Sequence, residues 1–478
     1  MFSRAKKRKQ RNMAKDDLEK SQKSKERFFP NRLNLKRSHT MPTKRIFLLL
    51  ATIITTLLLT TCGNNAPPSA PPSAPPSHDP LTNRIYAIHY IAFDDMAPQG
   101  YTLTQSWDAM GIDSNDTVYI GFTAYRPDGK EDFVLFSYNH QTEERRFLGT
   151  FMQAAQAAGN LAPGEEMPKG HTRLVYANGN LYMTSQGFHD FKGPLEGLMD
   201  MRGAHLFRYE IATGQLTNIT AHLPGGVVIP HEGIIALNHM PSAGYLVGLS
   251  HPHSNIVFIC LETYEVTQVV EGIPWRPGAV VSRDLVIDDI NQRVFIYRGP
   301  ENTTWTEGTI YTMFDAMNSF PVYMYDLVTG EFARTSSSTR GGIWGTAIVT
   351  ACGQTAYVST AAGFLLEIDF ATARTRQIGM FMPLELVRSG HMFSFLYHIT
   401  FSPCETRIYS IPTYAQQLSG LYEFDLATGE SAMLIQLPCR VYTGNNIRDS
   451  SGNLYFAAFG YHDWAGDCSL MIIEMNHD

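Results

Sequence analysis

Histidine is the side chain best suited to acid–base and metal chemistry near neutral pH, and several of the chain's 16 histidines stand at comparable positions. His171, His231 and His398 open runs in which apolar and polar residues alternate, in KGHTRLVY, IPHEGIIAL and FLYHITF. His189, His251, His253 and His462 stand in loops that follow such runs, in GFHDF, SHPHSN and YHDWAGD. Carboxylates accompany them at Asp190, Glu232 and Asp463, with Arg202, Trp275, Arg276, Tyr397, Arg448, Tyr461 and Trp464 nearby in the same segments. Two uses follow from these residue types. His231, His251, His253 and His398 could hold one divalent metal, with a carboxylate orienting the rings. Alternatively His231, His398 or Tyr397 abstracts a proton while Arg276 or the metal steadies the resulting anion. His171, His189, Trp275, Arg448, His462 and Trp464 would then line the ligand. The competing reading of any single histidine at a strand start is packing, and the His251-Pro-His253 spacing alone is weak evidence.

The elements that must position these groups announce themselves as a repeat. An alternating run, a turn built on Asp/Glu-x-x-Thr-Gly and a second run recur at Glu210–Gly214, Asp326–Gly330 and Asp425–Gly429. Weaker copies start at Asn139, Leu261 and Asp369. Strict alternation marks strands with two different faces, and the glycine supplies the positive φ of a hairpin turn. A second pair of strands lies upstream of each hairpin, at 171–186, 282–298, 345–360, 398–412 and 446–460. Four-stranded units recurring every ~40–50 residues indicate an all-β propeller. Six units are complete, and a seventh starts near Tyr442 and lacks its fourth strand. The run Arg84–Phe93 has no unit of its own, so it is expected to join the last blade and close the ring. Seven blades are therefore expected, with six or eight as alternatives and a β-sandwich array as the competing fold. In such a blade the loop before the first strand and the loop between the second and third share one face, which gathers the histidines near the central channel. The long stretches 187–202 and 299–319 extend over that face as a rim or lid.

The rest of the chain divides by composition. Residues 1–40 are basic and polar, without apolar periodicity; they read as a disordered extension, with translation expected to begin at Met41. Lys44 and Arg45 precede the apolar core Ile46–Leu59, and the segment ends Leu59-Thr-Thr-Cys62-Gly. Residues 41–62 thus have the layout of a signal peptide, and 63–80 form a Pro/Ser-rich tether of extended polyproline character. Residues 81–478 form the propeller.

The net charge is −7, and the basic clusters concentrate in the first 45 residues. The acidic body argues against nucleic acid, which requires a basic footprint. Of six cysteines, Cys62 belongs to the signal and five remain, so one bridge among Cys404, Cys439 and Cys468, or free buried thiols, are both compatible.

Residues 41–62 resemble a bacterial lipoprotein signal, departing from it at Thr61. The resemblance implies acylation of Cys62 and a propeller anchored to a cell or outer membrane, facing away from the cytoplasm. The repeat text resembles secreted propellers of the YVTN, virginiamycin-B-lyase and oligogalacturonate-lyase kinds. That implies a His-lined channel mouth binding an anionic glycan or small molecule, with metal- or His-assisted β-elimination as its possible chemistry. The alternative partner is a protein, held by a non-catalytic scaffold.

Overall fold

The structure is a computed structural model that describes residues 84–186, 201–272, 282–297, 319–340, 344–360, 362–381, 398–412, 420–443, 446–459 and 468–476. These residues form seven antiparallel sheets, each a four-strand meander A–B–C–D. In blade 1 the strands are Thr102–Gln105 with Met110–Ile112, Thr117–Tyr125, Glu131–Asn139 and Glu144–Thr150. In blade 2 strand A is again split, as Lys169–Gly170 and Val175–Ala177, ahead of Asn180–Gln186, Leu206–Glu210 and Gln215–Asn218. Strand A is Gly233–Met240 in blade 3, Val286–Asp288 in blade 4, Trp344–Val349 in blade 5 and Thr400–Phe401 in blade 6. Blade 7 comprises Arg440–Thr443, Leu454–Phe459 and Ser469–Met475, and takes its outer strand from the N-terminal segment Ile85–Ala92. That strand runs antiparallel to Ser469–Met475, from Ile85↔Met475 to Ala92↔Ser469. The expected closure of the ring is therefore observed, with seven blades.

Burial explains why a ring forms. The apolar residues separate into seven clusters, and each cluster spans one interface between neighbouring blades. Phe93, Leu103 and Phe136 of one end pack on Tyr455, Leu470 and Ile472 of the other, so the interface between blades 7 and 1 is as apolar as the rest. Both faces of every sheet are thus covered without a central core.

The repeated turns do what their residues require. Gly214, Gly330 and Gly429 have φ near +70°, at 70°, 71° and 73°. Their N–H groups return to the carbonyls of Glu210, Asp326 and Asp425 at 2.8, 2.8 and 2.9 Å. Asp326 and Asp425 also accept from the N–H groups of Thr329 and Thr428. Turn formation accounts for these acids. A second set of clasps joins adjacent blades at their A–B turns: Asp116 accepts from Ser450 N at 2.9 Å, and Glu405 accepts from Ala351 N at 3.0 Å.

The expectations for residues 1–80, including Cys62, lie outside the described residues. Among the described residues no helix is long and apolar enough to cross a membrane, and Cys260, Cys352, Cys404, Cys439 and Cys468 are all free thiols, so the bridge left open above is not formed.

Candidate functional site

Where the first strands converge on the axis, polar side chains from non-adjacent blades touch. Arg173 of blade 2 reaches Asp284 at the start of blade 4 and donates to the Ala347 carbonyl of blade 5 at 3.2 Å. Blades 2 and 5 can meet only across the channel, so Arg173 crosses the axis. Asp284 is buried and accepts from Leu285 N (2.8 Å), Ala347 N (2.8 Å) and Thr346 Oγ1 (3.3 Å). This hub ties three blades together by charge-assisted hydrogen bonds.

Beside it lies a second group. The Lys169 ammonium nitrogen sits 3.4 Å from the centroid of the Trp107 ring, and the same indole stacks on His171 at 5.5 Å. His171 Nδ1 is 3.7 Å from Asp108, and Arg283 Nη1 is 3.2 Å from His171 Nε2. Lys169 pairs with Gln186, the last residue of its neighbouring strand, so it stands at the end of the sheet that leads into the B–C loop. This is the face on which the sequence placed its histidines. Lys169 and His171 are buried, whereas Trp107, Asp108 and Arg283 are half-buried.

Electrostatics in this group follow from burial and from like charges. Burial, and then the Arg283 guanidinium, lower the Lys169 amine to about 6. Burial, Arg283 and Lys169 hold His171 well below the usual histidine range and lower His251 to about 3. Burial pushes Asp108 well above the ordinary carboxylate range, and Asp284 adds to the push. His171 and His251 are therefore neutral, and the lasting positive charge of the group belongs to arginine.

The predicted site residues divide accordingly. His171 and His251 join the axial group. His253 does not; its Nδ1 lies 2.8 Å from Glu232, a buried carboxylate that also accepts from Ser250 Oγ and from Asn255 Nδ2. His231 is exposed at φ 58°, with Nδ1 turned to the Met201 carbonyl at 3.1 Å. His398 is fully buried; its Nε2 accepts from Ile411 N at 3.1 Å and its ring meets Phe456 of blade 7 edge-on at 5.4 Å. Burial lowers it to about 3. His398 is thus a packing residue of the interface between blades 6 and 7, and His231 and His398, each expected as a proton acceptor, stand in different surroundings. The expected metal set of His231, His251, His253 and His398 fails for the same reason. Among the described residues no group of three His, Cys, Asp or Glu side chains is placed to hold a metal ion. Arg448 lies in the A–B connection of blade 7 and donates to the Phe401 carbonyl at 3.3 Å, on the opposite face from the B–C loops. His189, Trp275, Arg276, Tyr397, His462 and Trp464 lie outside the described residues.

Lys169, Arg173, Arg283, Asp284, Trp107 and Asp108 were not among the expected residues. A signal was available: each lies just before or within a first strand, the strand that lines the axis.

Arg202 serves a different place on this face, a cavity of about 270 Å³ bordered by Glu165, Met167, Ser185 and His205. Its guanidinium is engaged by Glu165, Asn160 and the Gly225 carbonyl. His205 is buried, accepts at Nδ1 from Asn218 Nδ2 at 2.8 Å and faces Glu165 at 3.1 Å with Nε2. Burial opposes the Glu165 charge, but His205, the Ala162 N–H and Arg202 outweigh it and bring that carboxyl to about 2. With every polar group committed, this cluster braces the loop.

No protein-family model matches the chain, and no curated protein matches it. Many solved structures do. The chain is similar to the β-propeller domain of Cps50 (Swd1) from Myceliophteria thermophila, at 11% identity and TM-score 0.45, covering 78% of this chain and 99% of that one. It is similar to a chain of a mitotic checkpoint complex at 9% identity and TM-score 0.50, covering 88% and 100%. U3-55K matches at 8% identity and TM-score 0.49, covering 81% and 98%. The checkpoint-complex likeness shows the β-propeller fold alone.

Proposed function

We propose that this chain is a binding propeller whose axial mouth takes a small anionic ligand, such as an acidic sugar unit or another carboxylate. The observation that carries this reading is the apposition of Lys169 and Arg283 on the Trp107–His171 stack. Asp284 is committed to Arg173, and Asp108 is driven toward its protonated form. Burial first, and then repulsion from Arg283, depress the lysine against the opposing charge of Glu131. An entering anion relieves that repulsion and lets Lys169 take up a proton. An elimination reaction is not part of the proposal, because His398 is buried between blades 6 and 7 and His231 is turned to the Met201 carbonyl.

Calorimetric titration of the full chain with oligogalacturonate and with inorganic sulfate tests the reading. Saturable binding accompanied by proton uptake is expected, weakened about tenfold to a hundredfold by Arg283→Met, the loss of a charge-assisted contact. Absence of saturable binding to either probe by the folded protein overturns it.

A second reading, a scaffold for a protein partner, draws on the outer edge of blade 7, where Tyr86 is 75% and Tyr90 44% exposed. The checkpoint-complex chain with a similar fold comes from a multi-protein assembly. Partner capture that survives Arg283→Met and is lost in Tyr86→Ser would favour this reading over the first.

We also propose that the propeller is lipid-anchored through Cys62 outside the cytoplasm; residues 41–62 are the support. Palmitate incorporation that is lost in Cys62→Ser is expected, and incorporation unchanged in that variant refutes it.

A further inference from the structure

We propose that the cavity beside the connection from blade 1 to blade 2 is a second ligand site, one that takes a short aliphatic amino alcohol. It is separate from the axial mouth and does not depend on the anion-binding reading. The cavity, about 270 Å³, is bordered by Glu166 and Met167 of the connection that follows the helix Phe151–Ala157, and by Ser185 and Met201 of blade 2. Its volume falls just below the range of about 300–1,000 Å³ that holds drug-sized molecules, so its occupant is small.

One wall is fixed and spent. Arg202 and Glu165 form an ion pair at 3.0 Å, and the Glu165 carboxylate also accepts from Ala162 N at 2.8 Å and faces His205 Nε2 at 3.1 Å. Two groups outside that cluster keep capacity. Glu166 accepts from Glu131 N at 2.9 Å through Oε2; among the described residues its Oε1 has no partner and its charge no cation. Ser185 is only 2% exposed, and its Oγ accepts from His205 N at 3.0 Å. Among the described residues its hydroxyl proton has no acceptor. A donor so deeply buried is normally satisfied, and the cavity that Ser185 borders is the place for its acceptor.

These groups select the chemistry of the ligand. With Glu165 paired to Arg202, the unmatched charge at the cavity is the Glu166 carboxylate. An ammonium group meets it by a charge-assisted hydrogen bond, whereas an anion is repelled. The Ser185 O–H asks for a neutral oxygen, which a hydroxyl supplies. Met167, buried, and Met201, half-buried, offer polarizable apolar surface to the methylenes between the two ends. A quaternary ammonium is a poorer match, because such ions are recognised by aromatic cages and the described border carries no Phe, Tyr or Trp.

The test titrates the full chain, carrying 13C at its methionine methyl groups, with ethanolamine, 3-aminopropan-1-ol and 4-aminobutan-1-ol. The signals of Met167 and Met201, assigned with Met167→Leu and Met201→Leu, are expected to shift saturably with at least one of these amines. Glu166→Gln keeps an acceptor for Glu131 N and should weaken that binding about tenfold to a hundredfold. The alkylamine of the same length, which lacks the hydroxyl, should bind about twofold to tenfold more weakly. The diol of the same length, which lacks the charge, should not bind. Absence of a saturable shift with all three amines, in a protein whose other methionine signals show the fold intact, overturns the proposal and leaves the cavity to water. Binding unchanged by Glu166→Gln, or matched by the diol, overturns the role of the charge; binding matched by the alkylamine overturns the amino-alcohol class.

Discussion

Replacing Asp284 by asparagine should reveal how much of the ring's stability is anchored at its axis. The side chain accepts from Leu285 N at 2.8 Å and Asn238 Nδ2 at 3.4 Å through Oδ1. Through Oδ2 it accepts from Ala347 N at 2.8 Å and Thr346 Oγ1 at 3.3 Å, and from Arg173. Asparagine has one acceptor oxygen, so its amide must face one of these donor sets. The cheaper choice turns the NH2 toward Leu285 and Asn238, which leaves one buried backbone N–H unsatisfied at a cost of about 1–3 kcal/mol. The Arg173 contact becomes charged-to-neutral and loses about 1 kcal/mol more. Partial solvent access of Arg173, with 21% of its side chain exposed, keeps the total near the middle of the summed range of about 2–4 kcal/mol, at about 3 kcal/mol. Urea unfolding followed by circular dichroism measures it as a lower midpoint at unchanged slope. In a double-mutant cycle with Arg173→Met the two losses should overlap by about 1 kcal/mol. A loss under about 1 kcal/mol for Asp284→Asn, or strict additivity, would show that Arg173 and Asp284 do not brace the axis.

Other perturbations test other joints. Deleting residues before Asp94 removes seven paired positions from blade 7 and Phe93 from the last interface; a markedly lower thermal midpoint is expected, and an unchanged one contradicts closure by this strand. His398 binds fewer protons folded than unfolded between its folded value of about 3 and the ordinary histidine range. Stability should therefore rise with pH across that window, and His398→Leu should flatten the slope; a slope unchanged by the substitution would place the ring in solvent. Asp132 acts with the opposite sign. Burial, opposed by the N–H groups of Met152 and Phe133, raises it to about 6. Its contribution should therefore fall as pH rises from about 4 to about 6. Asp132→Asn should remove that fall, and retention of the fall would assign it to another group.

The architecture was legible because its signals are local. A turn of the Asp-x-x-Thr-Gly type fixes two strands by itself, and even its weaker copies keep the left-handed residue, at Glu143, Tyr264 and Ala373. The borrowed strand was legible by counting, since the last unit lacked one strand and the first had one too many. The histidine face was legible as topology only. His171 and His398 open equivalent strands, yet one ring lies on the axis and the other between blades 6 and 7. In a strand one step in register reverses the direction of a side chain. Strand A of blade 2 is moreover broken between Gly170 and Val175, so alternation could not be carried across His171.

The chemistry of the mouth was misread for a related physical reason. Histidine draws attention because its ordinary range straddles neutrality, but that range belongs to a solvated ring. At the axis of a propeller, burial and neighbouring cations displace it, and His171 and His251 are left as neutral polar surfaces. The same forces act differently on the lysine and arginine beside them. Arg283 cannot respond by losing its proton, so the cost falls on Lys169, which can. Burial and crowding at a convergence of strands thus sort the cations into one that stays charged and one whose amine falls toward neutrality. A group brought toward neutrality here is accordingly a lysine, a residue whose type gives no hint of it until its neighbours are known.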